Sequence, residues 1–408
     1  MFLYIDPGTG SMLFAILVGL LGAGIYAVRD IVIKIRFILS GGKQDKSAGK
    51  SIPFVIFADD KRYWNVFGPI CREFDKRGQE VVYMTASEKD PALNEKFEHV
   101  ETKFIGEGNK AFAKLNMLRA DVLLSTTPGL DVYQWKRSKD VKHYSHILHM
   151  ASDATLYRMF GLDYYDSILL SGQYQVEQIR ELERLRNLPA KECVVVGQPY
   201  MDGLYKRLQA SKEIEKSEIV VLLAPSWGAS SILNRYGEKF IDALIATGYK
   251  IVVRPHPQSF SSEKELLDRL MSKYPDLEWN KDNDNFDILR RSDILISDFS
   301  GVMFDFSLVF NKPIIYADTS FDKAPYDACW IDKETWTFST LPLIGEKLDE
   351  NSFSNIKELI DKCLNDQKYQ DGINNARNEA WEHIGESASL TVDYLMNKRN
   401  ELLAKEDK

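Results

Sequence analysis

The sequence predicts an α/β protein built from two doubly wound parallel sheets, and three observations predict it. Apolar runs of strand length alternate with helix-length amphipathic stretches from residue 52 onward. The rhythm starts afresh after a charged stretch, 206–218 (KRLQASKEIEKSE). The 408 residues amount to two or three domains at about 150 residues each, long enough for two cores.

In the first series, 52–58 (IPFVIFA) is a buried strand and 63–77 a helix ended by Gly78. Strands follow at 80–85 and 99–105, then a helix at 110–119. A strand over 122–125 stops at Thr127-Pro128-Gly129, and a short one over 144–148 ends at His149. The series closes with a strand at 167–170 before Gly172, a charged helix at 175–187 and a strand at 193–196 ending at Gly197. In the second series, strand 219–224 runs into Pro225-Ser226-Trp227-Gly228 and strand 250–253 into Arg254-Pro255-His256-Pro257. Helices fall at 233–246, 262–273 and 286–291, with Ser262 placed to cap the second through Glu265. Strand 293–297, helix 302–310 and strand 313–316 complete the sheet, and 355–404 is mostly helical. The expected divisions are 1–50 as membrane anchor and linker, 51–210 and 211–345 as the two sheet domains, and 346–408 as terminal helices.

Hydrophobic residues make up 44% and charged residues 27%, which excludes a disordered, collagen-like or multi-pass membrane chain. The net charge is −8, and residues 1–50 are net basic, so the rest is more acidic than the whole. No nucleic-acid partner is expected of such a body, although a local basic pocket for a phosphate is allowed. Cys71, Cys193, Cys329 and Cys363 lie far apart with no CxxC, and they read as buried free thiols suited to a reducing cytoplasm.

Residues 12–28 (MLFAILVGLLGAGIYAV) carry no charge. As a helix they span about 26 Å at ~1.5 Å per residue, slightly short of a ~30 Å hydrocarbon core. Basic residues follow rather than precede them, so the positive-inside rule places the body in the cytoplasm. A single span is the leading reading; an interfacial helix, helped by IVIKIRFIL, and a core helix packed on the body are the alternatives. Residues 40–51 (SGGKQDKSAGKS) are a polar linker.

In doubly wound sheets ligands sit beyond the carboxyl ends of the strands, and there this chain places its unusual polar residues. Ser297-Asp298-Phe299-Ser300-Gly301 passes from a strand directly into a helix, whose N-terminus suits a phosphate or is simply capped. His256, held between two prolines beside Arg254, either handles phosphate charge or hydrogen-bonds a turn. His143, His146 and His149, with Asp153 after them, would suit a metal on a helix. As a strand, the segment instead puts His146 and His149 on opposite sides, with His149 a base or a structural residue and His146 a core residue. Trp227 stacks on a nucleobase or closes a core, and His99 and His383 read as surface residues. No P-loop, GxSxG or dinucleotide fingerprint is present.

RPHP after a strand and SDFSGVMFDFSLVFNKPIIY resemble motifs of the CDP-glycerol glycerophosphotransferases, which build teichoic-acid-type polymers. HILHMASDATLYRMFGLDYYDSILLSGQYQVEQIRELE and Gly197-Gln198-Pro199-Tyr200-Met201-Asp202 are similar to a branch of that family, and the likeness covers roughly 140–320. The resemblance implies a GT-B fold, with two Rossmann-like domains, the donor held mainly by the second, and C-terminal helices crossing back. It implies transfer of an alditol phosphate from a CDP-linked donor to a lipid-linked or polymer acceptor, with release of CMP and no cofactor or metal. His149 takes the place of the base, although the family's W-H-G context is here Leu148-His149-Met150. His256 is the second catalytic residue. Arg254, Ser226, Trp227, Ser297, Asp298, Ser300, Gly301 and Asp305 are expected on the donor side, with Ser297, Ser300 and Gly301 as phosphate contacts and Asp298 and Asp305 shaping the helix and site, and Lys312-Pro313 is structural.

Overall fold

The computed structural model describes residues 51–406 apart from 215–216, 283, 299 and 318–321. The expected membrane helix and linker at 1–50 lie outside the described residues. Among the described residues no helix is long and apolar enough to cross a membrane.

Strands β1 (Ile52–Ala58), β2 (Val81–Thr85), β3 (Val100–Phe104), β4 (Ala120–Ser125), β5 (Val141–Ile147), β6 (Ser167–Leu170) and β7 (Glu192–Val195) form one sheet in the order β3-β2-β1-β4-β5-β6-β7. A second sheet joins β8 (Val220–Leu223), β9 (Lys250–Val253), β10 (Glu278–Trp279), β11 (Ile294–Ser297), β12 (Ile314–Ala317) and β13 (Gly345–Leu348) in the order β10-β9-β8-β11-β12-β13. Every neighbouring pair is parallel. The continuous apolar run of β1 follows from burial on both faces. Phe54, Ile56 and Ala58 pack with Phe67, Ile70 and Phe74 of the helix Trp64–Lys76, while Val55 and Phe57 meet Leu115, Trp135 and Tyr144 on the other face.

Strand order reverses between β1 and β4 in the first sheet and between β8 and β11 in the second, so a crevice opens at the carboxyl end of each pair. The two crevices are closed beneath in the same way. Ser125 Oγ donates to the Phe57 carbonyl at 2.9 Å across β4 and β1, and Ser297 Oγ donates to the Ala224 carbonyl at 2.6 Å beyond β8.

The C-terminal helix Ser387–Glu406 returns to the first sheet, where Lys398 Nζ meets Glu192 at 2.7 Å and Arg399 Nε meets Asp121 at 2.9 Å. Asp202 fixes its start, accepting from the backbone N–H of Gly385 at 2.8 Å and of Ser387 at 3.0 Å. Gly197, at φ +87°, admits the same segment: a Cβ there would stand 2.6 Å from the Glu382 carbonyl oxygen. The GQPYMD motif therefore docks the returning helix.

Four expectations need correction. The charged stretch from 206, which separates the two series, begins inside a helix that was not foreseen, Pro199–Ala210. Strands β10 and β13 and the helix Trp336–Ile344 were not foreseen: β10 has two residues, β13 (GEKL) half-polar character, and the helix an internal Pro342. Ser262 is no cap, since its hydroxyl donates to the Gln258 carbonyl at 2.9 Å and Glu263 precedes the helix Lys264–Lys273. Cys71 and Cys363 are buried, but Cys193 is only half-buried and Cys329 is exposed.

Candidate active site

The first crevice is lined by the ends of β1, β4 and β5. His149 follows the end of β5 by two residues, and its Nδ1 lies 3.1 Å from Thr126 Oγ1 and 3.2 Å from the Tyr157 hydroxyl. Tyr63 covers the ring with its centroid 5.0 Å away. The other ring nitrogen, Nε2, has no hydrogen-bond partner among the described residues. Burial, assisted by the Arg62 charge, pushes the His149 pKa down to about 4, so the imidazole is neutral at physiological pH. At the neighbouring strand ends Thr127 Oγ1 donates to Asp59 at 2.9 Å, and burial raises the Asp59 carboxyl above its ordinary value.

His146 is fully buried, as expected of a core residue. It does not, however, part company with His149. The chain leaves the strand after Ile147, and both rings converge on one hydroxyl, with His146 Nε2 also 3.2 Å from Tyr157. His143 is buried too, with Nε2 2.9 Å from Ser167 Oγ. Asp153 is engaged elsewhere: its carboxylate accepts from the backbone N–H groups of Trp336 and Thr337, each at 2.8 Å, and so caps a helix of the other domain.

The second crevice is lined by the ends of β8, β9 and β11. His256 Nδ1 accepts from the Gln258 backbone N–H at 3.1 Å, which leaves the proton of a neutral ring on Nε2 as a free donor. Trp227 stands beside it, ring centroids 6.5 Å apart, and is 52% exposed, so it does not close a core. Asp298 is buried and accepts from the backbone N–H of Ser226 at 2.7 Å and of Ile232 at 2.9 Å. Glu263 accepts from the Gly228 N–H at 2.8 Å, and Gly228 turns at φ +92°. These carboxylates hold the loop that presents Trp227.

Two donor-side expectations change. Ser297 is fully buried and spends its hydroxyl on the Ala224 carbonyl. Asp298 shapes the loop, one oxygen accepting from Ser226 N–H and the other from Ile232 N–H. Arg254 is hydrogen-bonded to Asn280 beyond β10, with Asp282 and Asp284 as its charged neighbours, whereas the cation acting on His256 is Arg62. Ser300 and Gly301 do stand at the start of a helix, half-exposed. That helix runs through Val302–Phe304 and then widens into a π turn at Asp305–Val309, a form frequent at functional sites. Burial raises the Asp305 carboxyl to about 7. Lys312 Nζ donates to the Leu289 carbonyl at 3.1 Å and the Arg290 carbonyl at 2.6 Å, which makes it structural as expected.

The two crevices form one cleft. The charge of Arg62, beyond the end of β1, acts on both His149 and His256. A Cβ placed on Gly301 would lie 3.7 Å from Cε of Met150, the residue after His149. Sequence reasoning missed Arg62, Asp59, Thr126 and Tyr157. The signal for two of them was the run Asp59-Asp60-Lys61-Arg62, a polar cluster beyond the first strand at the very switch point where ligands bind.

Two parallel α/β sheets facing each other over a cleft, each supplying a histidine from a strand end, define a GT-B-type protein. Residues 140–331 match the model of the family described as CDP-Glycerol:Poly(glycerophosphate) glycerophosphotransferase. It is similar to a teichoic acid glycerol-phosphate primase of Bacillus subtilis (strain 168), 28% identical over 205 residues, covering 44% of this chain and 48% of that one. The chain thus spans about half the length of the curated relative it matches. Its fold is similar to that of the wall teichoic acid polymerase TagF (TM-score 0.59, 17% identity, 95% of this chain and 99% of that chain). It is also similar to a UDP-GlcNAc 2-epimerase from Neisseria meningitidis (TM-score 0.54, 13% identity, 85% and 100%).

Proposed function

We propose that this protein moves glycerol phosphate, or a related alditol phosphate, from a CDP-linked donor to a hydroxyl of a lipid-linked or polymer acceptor in cell-surface polymer synthesis. The observation that carries the reading is the pair of histidines across the cleft in opposite roles. His149 presents a nitrogen without a partner, and His256 presents a free N–H donor.

In this reading the acceptor oxygen attacks the β-phosphorus of the donor, the bond to the bridging oxygen breaks, and CMP leaves. The acceptor's proton passes to Nε2 of His149. His256 Nε2–H, the helix start at Ser300 and Gly301, and Arg62 hold the charge as it moves onto CMP. Trp227 offers an exposed ring on which the cytosine stacks. Phosphoryl transfer depends mostly on positioning and charge stabilisation, which these groups supply. Residues 12–28 anchor the chain in the membrane with the catalytic body on the cytoplasmic side, where a lipid-linked acceptor presents its end group.

The test is the nucleotide released when the full chain, in membranes, is given CDP-glycerol, another CDP-alditol or a UDP-sugar. CMP from a CDP-alditol supports the proposal. UDP release or sugar epimerisation would assign the cleft to other GT-B chemistry. Donor binding without turnover would make the protein a membrane-tethered nucleotide binder.

A further inference from the structure

We infer that Tyr157 is a positioning residue that accepts the Nδ1 proton of His149 and so keeps Nε2 bare, while His146 behind it draws off the tyrosine's own proton. This rests on the reading of His149 as the base.

The argument is one of proton placement. Two hydroxyl oxygens face His149 Nδ1, that of Thr126 at 3.1 Å and that of Tyr157 at 3.2 Å. A protonated Nδ1 can share its N–H between two acceptors, an arrangement common in proteins. A bare Nδ1 has a single lone pair for the same two groups. The Tyr157 hydroxyl then needs an acceptor of its own, and His146 Nε2 lies 3.2 Å from it. The chain of protons ends at His146 Nδ1, which is buried and has no partner. A buried nitrogen left in that state costs stability and calls for a reason. That nitrogen stays unpaired whichever way the chain runs, so the direction matters for His149 alone: if Tyr157 donated to His149 instead, the His149 proton would move to Nε2 and the base would be lost. Ring packing holds the three groups in place. Tyr157 stands edge-on to His146, centroids 5.2 Å apart at 89°, and to His149, 5.9 Å apart at 73°. No carboxylate contacts His149 Nδ1 among the described residues, so two neutral hydroxyls do the work usually given to an Asp.

The experiment is histidine tautomer determination by nitrogen-15 NMR on the full chain, with His149→Gln to assign the signal, beside kinetics of Tyr157→Phe and His146→Phe. The tautomer is read without turnover, so it stands or falls separately from the proposed reaction. His149 should carry its proton on Nδ1, and Tyr157→Phe should shift part of the population to Nε2–H. Tyr157→Phe should lower kcat by about 10-fold or more with donor KM little changed. His146→Phe keeps the ring packing and should lower kcat while thermal stability holds or rises. A wild-type His149 protonated on Nε2 overturns the inference. So does a folded Tyr157→Phe protein with unchanged tautomer and kcat.

Discussion

Met150, one residue past His149, lies against Gly301 at the start of the helix that begins with Val302: a Cβ on that glycine would stand 3.7 Å from Met150 Cε. The contact joins the loop that carries the proposed base to the loop proposed to face the donor. These two elements therefore meet directly, and the spacing allows a test.

A Cβ at Gly301 makes only ordinary contacts, and the residue's φ of −59° is open to any side chain. Gly301→Ala should fold with unchanged thermal stability. A loss of donor affinity in that folded protein would report that the diphosphate comes close to this backbone. Unchanged donor binding would place the phosphates elsewhere.

Ser300→Asp should place a negative charge at the same helix start. Donor binding should weaken by more than about 10-fold, equivalent to ~1.4 kcal/mol, as measured by titration calorimetry with the CDP-linked donor. Equal affinity in a folded variant would remove this loop from the phosphate site.

Arg62 lowers the pKa of both histidines. His149 is held at about 4, so as the proposed base it should stay unprotonated down to low pH and its protonation should set the acid limb of kcat/KM. Removing the cation relieves the repulsion of imidazolium, so Arg62→Ala should move that limb to higher pH. A pH profile that keeps its acid limb while overall activity falls would mean that Arg62 acts only on substrate.

Asp305 gives a stability test with a definite sign. Its carboxyl is held at about 7 in the fold against 3.8 ordinarily, so between those values the unfolded chain binds fewer protons than the native one. Stability therefore falls as pH climbs through that window, and the loss persists above it. Asp305→Asn should be more stable than the parent at pH 8 and about equal to it at pH 4 in thermal melts. Destabilisation at pH 8 would show that the ionised carboxylate has a partner in the fold.

The two-sheet architecture was readable because β1, β8 and β11 are apolar on both faces and each ends in a cluster of polar residues. Strand β13 was not readable, since GEKL carries two charges and takes its place only through parallel pairing with β12. At the site, His149 and His256 stood out because histidine at a strand terminus is conspicuous. Tyr157 did not, because its role depends on the chain turning after Ile147 so that two rings three residues apart reach one hydroxyl. Asp298 was visible as an acid at a helix start, but its two backbone donors come from about 70 residues earlier in the chain, a pairing that local spacing does not reveal.

The most direct measurement compares the full-length protein with His149→Ala for CMP released from CDP-glycerol in the presence of acceptor membranes, together with donor affinity for each. The proposed mechanism predicts that CMP release falls by roughly 10²–10⁴-fold while donor affinity stays within error, because it assigns His149 to the acceptor side of the cleft. A His149→Ala protein that releases CMP at the parent rate would contradict the assignment of His149 as the base.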